Sequence, residues 1–164
     1  MAGSALSPAQ MAEALRRLGR EQEWRKDLRR AYRPIANLGA NLSRKNMRGS
    51  GDRQLMRAAS GVRANATSSA ANVRVSGRVP TSTTPMSALA PVFGTRGRTG
   101  WFARPQYRSG RNNPPWIGNN WTPGVRGQGP RGINDALADG QERILDEFEK
   151  SALETLGRAF PRLR

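Results

Sequence analysis

The sequence predicts an α+β fold: a small antiparallel β-sheet packed by an N-terminal helical region and a long C-terminal amphipathic helix, with a long Gly/Pro/Trp-rich arm between them. Three observations lead there. Apolar residues recur at helical spacing over residues 8–48 and again over 133–160. Weak apolar alternation replaces that spacing between Arg63 and Ser76. Residues 94–132 then hold nine of the 18 Gly, five of the 11 Pro and three of the four Trp. At 164 residues the parts fit a single domain, and 36 % hydrophobic residues predict a small core.

Ser7-Pro8 reads as a helix start, with Ser at the cap and Pro at the first helical position, where its missing N–H has no bond to lose. Met11, Leu15 and Leu18 follow at helical spacing. Gly19 interrupts, and Trp24, Leu28, Ala31, Tyr32 and Ile35 form a second stripe about 220° around the axis from the first. That jump in phase predicts two helical pieces or one helix that changes partner. Pro34 would kink or end the second piece, although Ile35, Leu38, Leu42 and Met47 continue its spacing, and Gly49-Ser50-Gly51 closes the region. Residues 55–93 read as a short helix over Leu55–Val62 followed by a small sheet. Its strands are expected at Ala64–Ala71 and Asn72–Ser76, turning at Ser68-Ser69, with a third at Ala88–Phe93.

Residues 94–132 read as an ordered but irregular arm, because a flexible linker would be poor in aromatics. Trp101, Phe102, Trp116 and Trp121 need a surface to bury against, a neighbouring subunit or the chain's own core, and are the candidate subunit-interface anchors. The last element is the clearest helix. Ile133, Leu137, Ile144, Leu145, Phe148, Ala152, Leu156 and Phe160 share one stripe, and Pro161 stops it. Asp139–Arg143, Asp146–Lys150 and Glu154–Arg158 are spaced for i,i+4 pairs worth ~0.2–0.5 kcal/mol each.

Charge is divided along the chain. Lys+Arg number 28 against 12 Asp+Glu, for a formal net charge of +16, and Arg outnumbers Lys 25 to 3. From Arg53 to Asn134 there is no acid in 82 residues, and that stretch carries 12 Arg. Asn134–Glu154 reverses the sign, with seven acids against Arg143 and Lys150. A surface held only for solubility mixes both signs; a one-signed surface suits a polyanion or an acidic partner. The candidate DNA- or partner-facing residues are Arg63, Arg74, Arg78, Arg96, Arg98, Arg104, Arg108 and Arg111. Neither a helix-turn-helix nor another base-reading module accompanies them, so contact with nucleic acid would be sequence-independent.

With no His and no Cys, zinc fingers, thiol nucleophiles, disulfides and imidazole bases are excluded. Gly127-Gln-Gly-Pro-Arg-Gly132 matches the dinucleotide pattern G-x-G-x-x-G before a helix, but Trp121–Arg126 does not read as the strand that pattern requires. Asp135, Asp139, Glu142 and Asp146 read as the solvated face of an acidic helix rather than a metal or acid–base site. No catalytic residue, metal ligand or cofactor is expected. The N-terminus lacks the pattern of a signal peptide, and no run approaches the ~20 apolar residues of a membrane span, so synthesis in the cytoplasm and no membrane contact are expected.

The order of parts carries one likeness. An apolar segment ends in Val92-Phe93-Gly94-Thr95, an aromatic-Pro segment follows, and a long amphipathic helix closes the chain. This resembles the tail-completion (neck, head-to-tail connector) protein family of long-tailed bacteriophages over roughly Glu13 to Phe160. In that family the turn is Glu-Phe-Gly-Thr-like; here Val92 stands in the acid's place, Phe93, Gly94 and Thr95 match, and the connection to the last helix is longer. The resemblance implies a non-enzymatic virion protein that forms a ring, usually of six subunits, through which the genome passes. Implied partners are further copies of the chain, head-closure or connector proteins, tail-terminator or tail-tube proteins, and viral DNA in transient, non-specific contact. The composition by itself also suits a free, basic protein that coats nucleic acid or binds ribosomes.

Overall fold

A computed structural model of the chain describes residues 7–18, 24–79, 86–87, 89–94, 117 and 121–159. The described part is broadly α+β and mostly helical, with two-stranded β pairs. Contacts divide the chain into two compact units. One draws on residues within Met1–Leu38, Ala64–Val73 and Glu142–Arg164, the other on Gly39–Arg63 and Arg74–Gln141.

In the first unit, helix α1 (Pro8–Leu18) starts at a reciprocal cap. The Ser7 N–H donates to Gln10 Oε1 at 2.8 Å, and the Gln10 N–H donates to Ser7 Oγ at 3.3 Å. Two donors that the helix leaves without partners are thereby satisfied. Helix α2 (Arg25–Gly49) supplies Leu28, and helix α6 (Gln141–Ala159) supplies Ala152 and Leu156. These three join Met11 and Leu15 of α1 in one buried cluster, with Trp24, Tyr32 and Phe148 packed around it. Both N-terminal stripes therefore serve the same core.

Pro34 neither ends nor splits α2, which continues to Gly49. Leu28 and Ala31 are buried before it, and Ile35 and Ala36 after it. Apolar burial of ~1.5–3 kcal/mol per large side chain outweighs the one backbone donor that proline removes. Strands β1 (Val62–Ala66) and β2 (Ala71–Val75) form a hairpin across residues 67–70, close to the expected positions. Thr67 ties that turn: its N–H donates to the Ala70 carbonyl at 2.9 Å, and its Oγ1 accepts the Ala70 N–H at 3.0 Å.

The second unit is built on the last turns of α2, from Gly39. Helix α3 (Arg53–Ala58) is capped by Asp52, whose carboxylate accepts the Gln54 and Leu55 N–H groups, and a 3-10 turn (Ala59–Gly61) leads into β1. Strands β3 (Arg78–Val79) and β4 (Met86–Ser87) pair antiparallel, Arg78 opposite Ser87 and Val79 opposite Met86. Met47, Leu55, Val62 and Val92 are almost fully buried.

The third expected strand, Ala88–Phe93, is instead helix α4 (Leu89–Phe93). Pro91 explains the difference. It cannot donate to a sheet ladder, whereas in the first turn of a helix its missing N–H leaves no bond unmade. The expected continuous helix over 133–160 is also corrected. Helix α5 (Asn134–Asp139) ends at Gly140, whose ψ of 10° leaves the helical region, and α6 starts after it. A Cβ on Gly140 would collide with Leu42 Cδ1, so this break is where α2 makes a close approach. On α6 the expected apolar stripe is shifted as well: Leu145 is 43 % exposed, while Ser151 and Thr155 are buried. Thr155 is accommodated by donating its hydroxyl to the Ser151 carbonyl at 2.9 Å.

Candidate interaction surfaces

The arginines of the acid-free stretch have different fates. Arg63 on β1 is exposed, but its Nη1 donates to the Ser60 carbonyl and, at 3.1 Å, to that of Val62, folding the guanidinium back over the 3-10 turn. Arg74 on β2 is exposed. Arg78 holds its place in the β3–β4 register, with its side chain outside the described residues. Arg96, Arg98, Arg104, Arg108 and Arg111 lie outside the described residues, as do Thr95 and the aromatic candidates Trp101, Phe102 and Trp116. Trp121 is half-buried, its indole so close to Gly129 that a Cβ there would sit 2.8 Å from the ring. Phe93 ends α4, and Gly94 follows with φ +83°, a left-handed helix stop that glycine adopts without strain.

Arg131 is the arginine with the most defined role. Its backbone N–H donates to the Val92 carbonyl at 2.9 Å, and its Nη1 to the Pro91 carbonyl at 3.2 Å. The Ile117 N–H covers the Phe93 carbonyl at 3.1 Å. These are carbonyls that the end of α4 leaves open, and a cation suits that end of a helix. The same guanidinium reaches Asp52 Oδ2 at 2.9 Å, so one side chain joins the start of α3 to the end of α4. Burial alone would raise the Asp52 carboxyl. Hydrogen bonds from the Leu55 N–H, Arg131 and the Gln54 N–H, with the Arg131 charge, outweigh it and hold Asp52 below its ordinary value.

The glycine-rich loop closes on Asn134, which is 1 % exposed. Its Nδ2 donates to the carbonyls of Thr122, Val125 and Gln128 at 2.9, 2.8 and 3.0 Å, and its Oδ1 accepts the Gly124 N–H at 2.6 Å. Two amide hydrogens among three acceptors means that one is shared. Asp135 accepts the Gly127 N–H at 2.7 Å, and Arg126 pairs with Asp139. Gly127, Gly129 and Gly132 all have φ above +70°. The G-x-G-x-x-G pattern thus serves a string of tight turns. The residues before it form turns rather than a strand, and the Gly127 amide that a pyrophosphate would need is taken by Asp135.

Asp139 therefore pairs with Arg126 of the loop in place of the expected Arg143, and Arg158 donates to the Glu154 backbone carbonyl. Glu142, Asp146 and Glu154 are exposed, giving α6 an acidic solvent side. The sequence pattern does not single out Arg53 and Arg57, which are exposed on α3 beside Met56, itself 42 % exposed. Their i, i+3, i+4 spacing opposite Leu55 and Ala58 was the one signal, in a helix too short for periodicity to stand out. Among the described residues no cluster of carboxylates could hold a metal ion, and no helix is long and apolar enough to cross a membrane. Comparison with known protein families, with curated proteins and with solved structures finds no match to this chain.

Proposed function

We propose that the protein is a structural subunit of a bacteriophage neck. It forms an oligomeric ring, of six subunits as in the family it resembles, that joins the head connector to the tail and lets DNA pass. The observation that carries this reading is the segregation of charge. Twelve arginines and no acid occupy 53–134, and seven acids crowd into 134–154. Arg53, Arg57 and Arg74 are exposed on the first stretch, and Glu142, Asp146 and Glu154 on the second. Opposite surfaces on one chain suit a head-to-tail contact between copies, the kind that closes rings. The role is mechanical rather than enzymatic, performed in the virion after synthesis in the host cytoplasm.

In this reading the small sheet packs between the N-terminal helical region and the C-terminal helix. The 94–132 arm carries Trp101, Phe102 and Trp116 to the neighbouring subunit. Most arginines serve contacts with copies and with adjoining head-closure, connector, terminator or tube proteins. Only a few face DNA, because a strongly cationic channel would hold the genome back.

Sedimentation velocity and electron microscopy of the purified protein test the reading. Closed rings are the expected result; a monomer at all concentrations, together with its absence from neck density in virions, would overturn it. Exposed Arg74 on the hairpin favours a second reading, a non-specific nucleic-acid coat. Tight binding to free duplex that falls steeply with salt, without rings, is the outcome that favours the coat.

A further inference from the structure

Two exposed surfaces have matching and opposite character. On α6, Glu142, Leu145, Asp146, Glu149 and Leu153 follow at i, i+3, i+4, i+7 and i+11, and so lie along one side of the helix. Leu145 is 43 % and Leu153 55 % exposed, Glu142 and Asp146 are exposed, and Glu149 is half-buried. Lys150, Arg143, Glu154 and Arg158 lie around the flank, so the two leucines are bordered by carboxylates on one side and mixed charge on the other. On the other unit, α3 presents Arg53, Met56 and Arg57 opposite its buried Leu55 and Ala58. Helix α4, packed against α3, leaves Leu89 40 % exposed. The nearest carboxylate in sequence, Asp52, is already occupied by Arg131 and the cap of α3.

We propose that the leucine-carboxylate side of α6 docks on the Arg53/Met56/Arg57 side of α3 in a second copy of this chain. The inference rests on the ring reading and names its contact. A chain of net charge +16 repels its own average surface. An acidic face meeting a basic one relieves that repulsion, and among the described residues α6 is the helix on which acids and exposed leucines coincide. Nucleic acid is an unsuitable occupant of that face, since carboxylates repel phosphate. The two surfaces differ, so the contact is heterologous and each copy keeps one face of each kind to offer onward.

The test uses full-length protein and two variants, Leu145→Ser/Leu153→Ser on α6 and Arg53→Glu/Arg57→Glu on α3, each checked by circular dichroism. Sedimentation velocity is run on each alone and on an equimolar mixture. Each variant alone should lose association by on the order of 100-fold. The mixture should give a 1:1 dimer and nothing larger, because only one intact pair of surfaces remains between the two chains. Wild-type association should weaken as salt shortens the screening length from about 8 to about 3 Å. If wild type forms rings and either variant alone still does, or if the mixture stays monomeric, the docking is refuted while the ring reading stands. Wild-type protein that never associates refutes both. Should a double variant misfold, Leu153→Ser and Arg57→Gln replace it, and the same sedimentation results support or refute the docking.

Discussion

Replacing Asn134 by Ala removes the hub of the loop. The side chain makes four hydrogen bonds at 2.6–3.0 Å, three of them sharing two amide hydrogens. Its donors are thus worth two bonds and its acceptor a third. At a net ~0.5–1.5 kcal/mol each, the loss is about 2–4 kcal/mol. The upper half applies because Asn134 is 1 % exposed, so the groups it bonds lose a buried partner. Urea denaturation should show the lower midpoint, and hydrogen exchange should show early loss of protection at the Gly124 amide. Asn134→Asp keeps the shape but turns an oxygen toward three carbonyls, so it should cost more than Ala at neutral pH. It should recover on acidification, because a protonated carboxyl can donate again. A stability change in Asn134→Ala below about 0.5 kcal/mol, with Gly124 still protected, would refute the hub.

Further expectations concern the rest of the fold. Asp52 titrates below its ordinary value, so its contribution is present above the unfolded-state value of 3.8 and is lost as pH falls through the lowered folded value. Asp52→Asn keeps a capping side chain, should cost about 0.5–1 kcal/mol at pH 7 given the partial exposure of the pair, and should flatten that part of the acid-denaturation curve. Gly132→Ala places a Cβ 2.5 Å from Met47 Cγ at φ +72°, and should lower stability by about 2–4 kcal/mol in chemical unfolding. Pro34→Ala restores a backbone donor at an exposed position within α2, and should raise stability by about 1–3 kcal/mol, read as a higher thermal midpoint.

What could be read from the sequence was local. Ser7-Pro8 marked the start of α1 because cap, proline and apolar spacing agree within a few residues. The hairpin turn and the stripe through Leu28 and Ile35 were legible for the same reason. What escaped depended on distant partners. Gly140 looks like a tolerated glycine inside a strong helical pattern until Leu42, far back in the chain, is seen against it. Arg131 reads as one arginine among twelve, and its bonds to Asp52 and Pro91 span 79 and 40 residues. Asn134 reads as an ordinary helix-start residue, and only three-dimensional closure of the glycine loop makes it a hub. The short apolar run Ala88–Phe93, bounded by Pro85 and Gly94, fits either a strand or a helix turn, and Pro91 was the residue that should have decided it.

The span of the bonds around Asn134 bears on the order in which the chain assembles. They join residues 6 to 12 apart, whereas the pins that fix Arg131 and Gly132 to the remainder reach across 40 to 86. Closing a short span forfeits less chain freedom than closing a long one, and it happens faster. The glycine turns can therefore wind up early, as a preformed bead, and wait for α2 and α3 to be gathered onto it.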